Sequence, residues 1–339
     1  NRVEKACRDY ALIEEVYKKY PEVRKILIGS SPYDETSRFN KVAFPGNNTQ
    51  ILKIVDFLTP RARENQWGFV DFNRPMVAIN QWEQAADSMY TLCGKDRIHP
   101  STDGHLVMAY LFLKAQGLAG KLVADIRIDG AGKKVSVSDL SVSSDNLTFT
   151  YEAKSLPYPI DTSYYDNEKH TQADALSVIP FMDEMNYEGL SVSGLSDGYY
   201  GLTIGGEFIG RFTARELERG INMALLQNTP QYKQAMKIRQ MNEERWLKER
   251  KMREFYWVEY NLMRKTGMLW ACDEAAVDTL RKYRPHDIFL QWNGDLWLQY
   301  MHKGIREDCV NEQQDLVDRI YEQNKPIPLQ IEIKKFTDL

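Results

Sequence analysis

Asp96-Arg97-Ile98-His99-Pro100-Ser101-Thr102-Asp103-Gly104-His105 is the stretch on which the reading of this 339-residue chain turns. A carboxylate three residues ahead of an imidazole, in a polar segment with Pro and Gly, lets Asp96 hold one ring nitrogen while the other faces a nucleophile. That is the arrangement of a general base and its orienting acid. The same spacing also pins a turn with no chemistry at all, and with five histidines in the chain the pattern alone does not choose. Ser101, Thr102 and Asp103 offer N-caps for a helix from about Gly104 to Gln116.

Upstream, Val3–Tyr20 places Ala6, Tyr10, Ile13, Val16 and Tyr17 on one side at helical spacing. Val23–Gly29 carries the short apolar run Ile26-Leu27-Ile28, which reads as a buried strand ended by Ser30-Ser31-Pro32. A helix over Thr49–Asn65, a strand over Trp67–Phe72 and a loop at Asn73-Arg74-Pro75 follow. Helix alternating with strand predicts a parallel sheet with helices on its faces. Beyond Gly120 the pattern changes. Val135–Val142 and Leu147–Tyr151 alternate as strands, and Gly198–Ile204, Gly205-Gly206 and Glu207–Phe212 read as a hairpin. Thr213 with Glu216 makes a capping box, a long charged helix is predicted over Gln231–Arg264, and Pro326–Lys335 alternates as if closing a sheet edge. The expected organisation is an α/β domain over 1–120, a β-rich region over 121–230 and a mainly helical extension over 231–339.

Several separated segments are similar, in order, to one family. Asp96-Arg97-Ile98-His99-Pro100 with Gly104-His105 and Met108-Ala109 resembles the last conserved block of the SGNH (GDSL-type) ester hydrolases. Ile26–Asp34 and Phe69–Asn73 resemble two of their sheet strands, and Gly194–Ala224 resembles an extension of bacterial members. The resemblance implies an α/β fold, the three-layer α/β/α SGNH architecture with a flavodoxin-like parallel sheet, followed by a β-rich plus helical extension. It implies a Ser-His-Asp hydrolase of O-acetyl or other acyl esters, on a small molecule or a carbohydrate, with His99 as base and Asp96 as its orienter. It also implies a periplasmic or extracellular location and no cofactor.

The family's Gly-Asp-Ser nucleophile block and the blocks bearing its oxyanion-hole Gly and Asn do not occur in this sequence. The nucleophile is therefore expected upstream of these residues, as a preceding segment or a separate N-terminal fragment, and the oxyanion groups are unassigned. Gly29-Ser30-Ser31 offers serines, but the family places an ordinary loop there. The rival reading is a non-catalytic carbohydrate-binding or scaffold protein on a degenerate SGNH fold.

Composition narrows the partners. A formal net charge of −4, with acidic residues interleaved through the basic stretch Lys237–Arg253, supplies no basic field for nucleic acid. The longest apolar runs fall far short of the ~20 residues of a membrane span. Cys7, Cys93, Cys272 and Cys309 lack metal-ligand spacing, so no metal is expected, and disulfides stay open. His105 reads as a helix N-terminal residue packed against the sheet, with a metal-ligand or second-base role beside His99 as the alternative. His170, His286 and His302 stand apart from any Asp or Cys pattern. Trp246, Phe255, Tyr256, Trp257 and Tyr260, with Met241, Met252 and Met263, read as the buried side of the long helix rather than a sugar-binding face. Trp292, Trp297 and Tyr300, beside Asn293-Gly294-Asp295, read as sugar-stacking candidates flanking a turn.

Overall fold

The computed structural model describes residues 2–38, 43–129, 138–142, 146–163 and 170–336; the chain divides into two units, Asn1–Asp125 with Ile160–Gly189, and Ile126–Pro159 with Leu190–Leu339. The first unit holds α1 (Arg2–Tyr17), β1 (Ile26–Gly29), α2 (Asn47–Glu64), β2 (Gly68–Asp71), α3 (Asn73–Glu83), α4 (Thr102–Ala115) and α5 (Phe181–Glu184). β1 and β2 run parallel, with Leu27 opposite Phe69 and Ile28 opposite Val70. Strands joined in this sense need a crossover, which α2 supplies. Leu27 packs on Leu58 and Ala62 of α2, with Tyr10 of α1 and Phe69 at the margin. Glu14 of α1, almost wholly buried, ties the helices together by accepting from Arg61 (2.8 Å) and Asn65 (2.8 Å).

On the other face Val70 is buried and α4 lies against β2. Ile28, on that same face, is 49 % exposed, because among the described residues β1 has β2 as its single strand neighbour. One expectation is corrected here. Asn73-Arg74-Pro75 is not a loop but the first turn of α3, where the missing N–H of a proline has no helical partner to lose.

The remaining elements are two sheets and a helical array. A small sheet joins β3 (Ala124–Asp129), β6 (Glu188–Ser193) and β9 (Ile221–Asn222). A five-stranded antiparallel sheet is ordered β4 (Ser138–Val142), β5 (Asn146–Tyr151), β10 (Leu329–Lys335), β7 (Tyr199–Ile204), β8 (Glu207–Thr213). Residues 135–137 of the alternating stretch foreseen there lie outside the described residues. Register explains the alternation: Ile331 sits between Phe149 and Ile204, and Ile333 between Leu147 and Leu202. All six are buried. β10 is thus the central strand, not the edge strand its position suggested. The β7–β8 hairpin turns at Gly205 and Gly206, both at positive φ (57° and 83°), a conformation that costs a side chain but not glycine.

Thr213 caps α6 (Ala214–Arg219) with the foreseen capping box, Glu216 N–H donating to Thr213 Oγ1 at 3.2 Å while Thr213 N–H donates to the Glu216 carboxylate at 2.7 Å. Then come α7 (Pro230–Val258), α8 (Glu274–Tyr283), α9 (Ile288–Tyr300) and α10 (Lys303–Gln323). The long helix ends as α-helix at Val258 and passes into a π-turn over Glu259–Met263. Their core gathers Phe255, Val258, Met263, Leu280, Leu290, Trp297 and Tyr300. Met241 and Met252 are buried as foreseen, whereas Trp246, Tyr256 and Tyr260 lie at the surface. Trp297 and Tyr300 do not flank a turn. Asn293-Gly294-Asp295 is helical, Trp297 is fully buried, and of the three stacking candidates Trp292 alone is exposed. The architecture is α/β, with parallel and antiparallel sheets and a helical C-terminal region. No helix among the described residues is long and apolar enough to cross a membrane.

Candidate active site

Residues 94–99 form a loop closed at its base in the first unit. Gly94 N–H donates to His99 O at 2.6 Å, Cys93 and Pro100 form an isolated antiparallel bridge, and Ser101 N–H donates to Leu92 O at 3.0 Å. The N-terminus of α4 is pressed against the same backbone. A Cβ on Gly104 would stand 2.2 Å from Leu92 O, so only glycine admits this approach. Ser101 occupies the N-cap but does not cap. Its hydroxyl lies within hydrogen-bond reach of Leu92 O (3.0 Å) and of the Asp103 carboxylate, with one hydrogen to share between them.

The loop brings Asp96 and His99 together. Asp96 Oδ1 accepts from the N–H groups of Ile98 and His99, each at 3.0 Å, and Oδ2 lies 2.5 Å from His99 Nδ1. One carboxylate oxygen therefore shapes the turn while the other holds the ring. The imidazole is 81 % exposed, so Nε2 is open to an incoming group. Burial works against charge on Asp96, but the His99 imidazole and the two N–H groups outweigh it and hold the carboxyl at about 2 rather than its ordinary 3.8. A depressed carboxyl stabilises the fold above its ordinary value, and that contribution is lost as pH falls from about 4 through about 2. The Asp96 carboxyl resonance is accordingly expected to titrate near 2, and in His99→Ala to move up toward 3.8. An unmoved titration would show that the imidazole does not hold Asp96.

The remaining sequence candidates fall elsewhere. His105 is exposed on α4 rather than packed against the sheet. Ser30 and Ser31 follow β1, Ser30 exposed and Ser31 half-buried, with Pro32 next. His286 and His302 are exposed. His170 is not isolated: its Nδ1 lies 3.7 Å from Oδ2 of Asp103, and its ring meets Tyr90 edge-on. Asp103 is almost wholly buried, and that burial raises its carboxyl above the ordinary value. Asp34 is a further buried carboxylate missed from sequence, holding the N–H groups of Thr36 (2.9 Å) and Ser37 (3.0 Å) below the loop. Its Asp-x-Thr-Ser spelling is the local signal, a turn-forming carboxylate. Cys93, between these groups, has its thiol pushed up by burial to about 12, which makes it inert as a nucleophile. Cys7, Cys93, Cys272 and Cys309 are all free. Among the described residues no group of three or more His, Cys, Asp or Glu side chains could hold a metal ion.

Residues 236–325 match the family described as the diltiazem deacetylase C-terminal helical domain. The solved structure of a gut microbial diltiazem-metabolizing enzyme is similar over 98 % of this chain and 77 % of its own, at 39 % identity and a TM-score of 0.91. Comparison with curated proteins finds no match. The α/β fold and this likeness define an esterase-like hydrolase. The chain belongs to the family of that diltiazem-metabolizing enzyme.

Proposed function

We propose that this protein is a metal-independent serine esterase of the SGNH type that removes acetyl groups from a small-molecule ester, with His99 as base and Asp96 as its orienter. The observation that carries the reading is the Asp96–His99 contact of 2.5 Å with the ring otherwise open. In this scheme a serine hydroxyl attacks the ester carbonyl as Nε2 of His99 takes its proton. The proton then passes to the departing alkoxide, leaving an acyl-serine. Water attacks the acyl carbon with His99 again as base, releasing the acid and restoring the serine. Asp96 stays ionised and fixes the tautomer.

The serine and the oxyanion donors come from a segment outside residues 1–339, covalently continuous or a separate N-terminal fragment. Among the described residues β1 has a single strand neighbour and Ile28 is exposed, which supports this, since parallel sheets are ordinarily buried on both faces. The related enzyme's diltiazem favours an acetylated drug-like molecule, while an O-acetylated carbohydrate is the alternative substrate. A periplasmic or extracellular location belongs to the same proposal. The non-catalytic reading draws on one observation, the absence of Gly-Asp-Ser from these residues.

The test is acetate release from a chromogenic acetyl ester, diltiazem and an acetylated sugar by the protein with its serine-bearing segment. Hydrolysis of the first two, undiminished by a chelator, is expected. No release from any ester, or loss to the chelator reversed by zinc, contradicts the proposal.

A further inference from the structure

We infer that Arg97 is the positioning residue of the Asp96–His99 pair, clamping the turn that joins them to the loop after β1. The inference rests on the reading of that pair as orienter and base. Arg97 has φ of 68°, left-handed backbone that a glycine adopts freely and an arginine does not. Strain of this kind persists where the surroundings over-determine it, and here they do. The Arg97 side chain is buried, and its Nη1 donates to two carbonyls, Asp34 O at 3.0 Å and Ser37 O at 2.9 Å. Its main chain is held on both sides: N–H donates to Gly94 O at 2.9 Å, and O accepts from Asp34 N–H at 3.0 Å.

The loop it grips is itself fixed. Asp34 Oδ1 accepts from the N–H groups of Thr36 and Ser37, and Oδ2 accepts from Gln84 Nε2 at 3.2 Å. The consequence falls on the neighbours. With residue 97 left-handed, one oxygen of Asp96 reaches the N–H groups of Ile98 and His99 and the other reaches the imidazole. A turn that relaxed to right-handed backbone would swing residues 96 and 99 apart. The guanidinium, bonded to the carbonyls of Asp34 and Ser37, therefore acts through Asp96 on the tautomer of His99.

The readout is the tautomer of His99, given by the 15N shifts of its two ring nitrogens at a pH where the ring is neutral. This needs no serine. An imidazole in water prefers the proton on Nε2; one held by Asp96 carries it on Nδ1. The parent chain is expected to show the Nδ1–H form. Arg97→Met, which keeps a buried apolar stem but no donors to hold the left-handed backbone, is expected to shift His99 toward the Nε2–H form while unfolding cooperatively, whereas Arg97→Gly, which adopts that backbone freely, is expected to keep the Nδ1–H form. A parent-like tautomer in folded Arg97→Met overturns the inference alone. A parent that itself shows the Nε2–H form overturns the reading of the pair, and the inference with it. Loss of cooperative unfolding in both variants would assign Arg97 to the general stability of the unit and likewise overturn it.

Discussion

His99→Ala is expected to abolish turnover of an acetyl ester by the enzyme while leaving the melting temperature almost unchanged. The imidazole is 81 % exposed and, among the described residues, its polar partner is Asp96, so little packing is lost with it. Asp96→Asn is expected to lower kcat by a factor of ~10⁴, as removal of the orienting carboxylate does in a Ser-His-Asp triad. An amide at that position can still accept from the N–H groups of Ile98 and His99 through one oxygen, so the turn survives. The group facing Nδ1 becomes a donor and selects the wrong tautomer. Because the proposed mechanism places both residues in the chemical step, kcat should fall with KM little changed. Comparable kcat in parent and His99→Ala, measured under saturating ester, would remove His99 from the mechanism.

The second large effect is structural. Trp297→Ala in α9 is expected to destabilise the second unit by about 3–5 kcal/mol, the usual cost of truncating a fully buried large aromatic. That is a large fraction of a typical ~5–15 kcal/mol. The indole is wholly buried among Phe255, Met263 and Leu280, and its Nε1–H donates to Glu259 Oε1 at 2.7 Å. Glu259 is itself buried, and its other oxygen accepts from Trp270 N–H at 2.8 Å. Removing the indole therefore opens a cavity and leaves half of a buried carboxylate unbonded. Trp297→Phe, which fills most of the space but keeps no donor, separates the two contributions and should cost about 1–3 kcal/mol. Denaturant unfolding that shows Trp297→Ala within 1 kcal/mol of the parent would contradict this account of the helical core.

Much of this was legible because its causes are local. The run Ile26-Leu27-Ile28, the capping box of Thr213 and Glu216 and the two-glycine hairpin at Gly205-Gly206 each carry their reason within a few residues, and the structure places strand, cap and turn where those residues predict. Asp96 and His99 were legible as a pair for the same reason. Long-range causes were not. Alternation in Pro326–Lys335 shows that one face is buried but cannot say that β5 and β7 lie on either side, so a central strand passed for an edge.

Gly294 between Asn293 and Asp295 spells a turn, yet α9 runs through it. Arg284 packs over the glycine, 3.2 Å from where a Cβ would be, and pairs with Asp295 at 2.6 and 2.7 Å. Tertiary contact overrides propensity there. The Asp103–His170 approach and the grip of Arg97 on Asp34 and Ser37 join residues far apart in sequence, and no spacing rule reports them. The aromatic residues of α7 were half legible, since helical periodicity marks an apolar side but not where its margin meets solvent. Phe255 is buried while Tyr256 next to it lies at the surface.

The central claim is that His99 and Asp96 activate a serine contributed from outside residues 1–339. The most direct test is to label the natural protein with a fluorophosphonate, which phosphonylates only a serine activated by its base, and to map the modified peptide by mass spectrometry. The account predicts one labelled serine, located outside residues 1–339, with labelling lost in His99→Ala. A label on a serine within these residues, at Ser30 or Ser31 for instance, or a label that persists in His99→Ala, would contradict it.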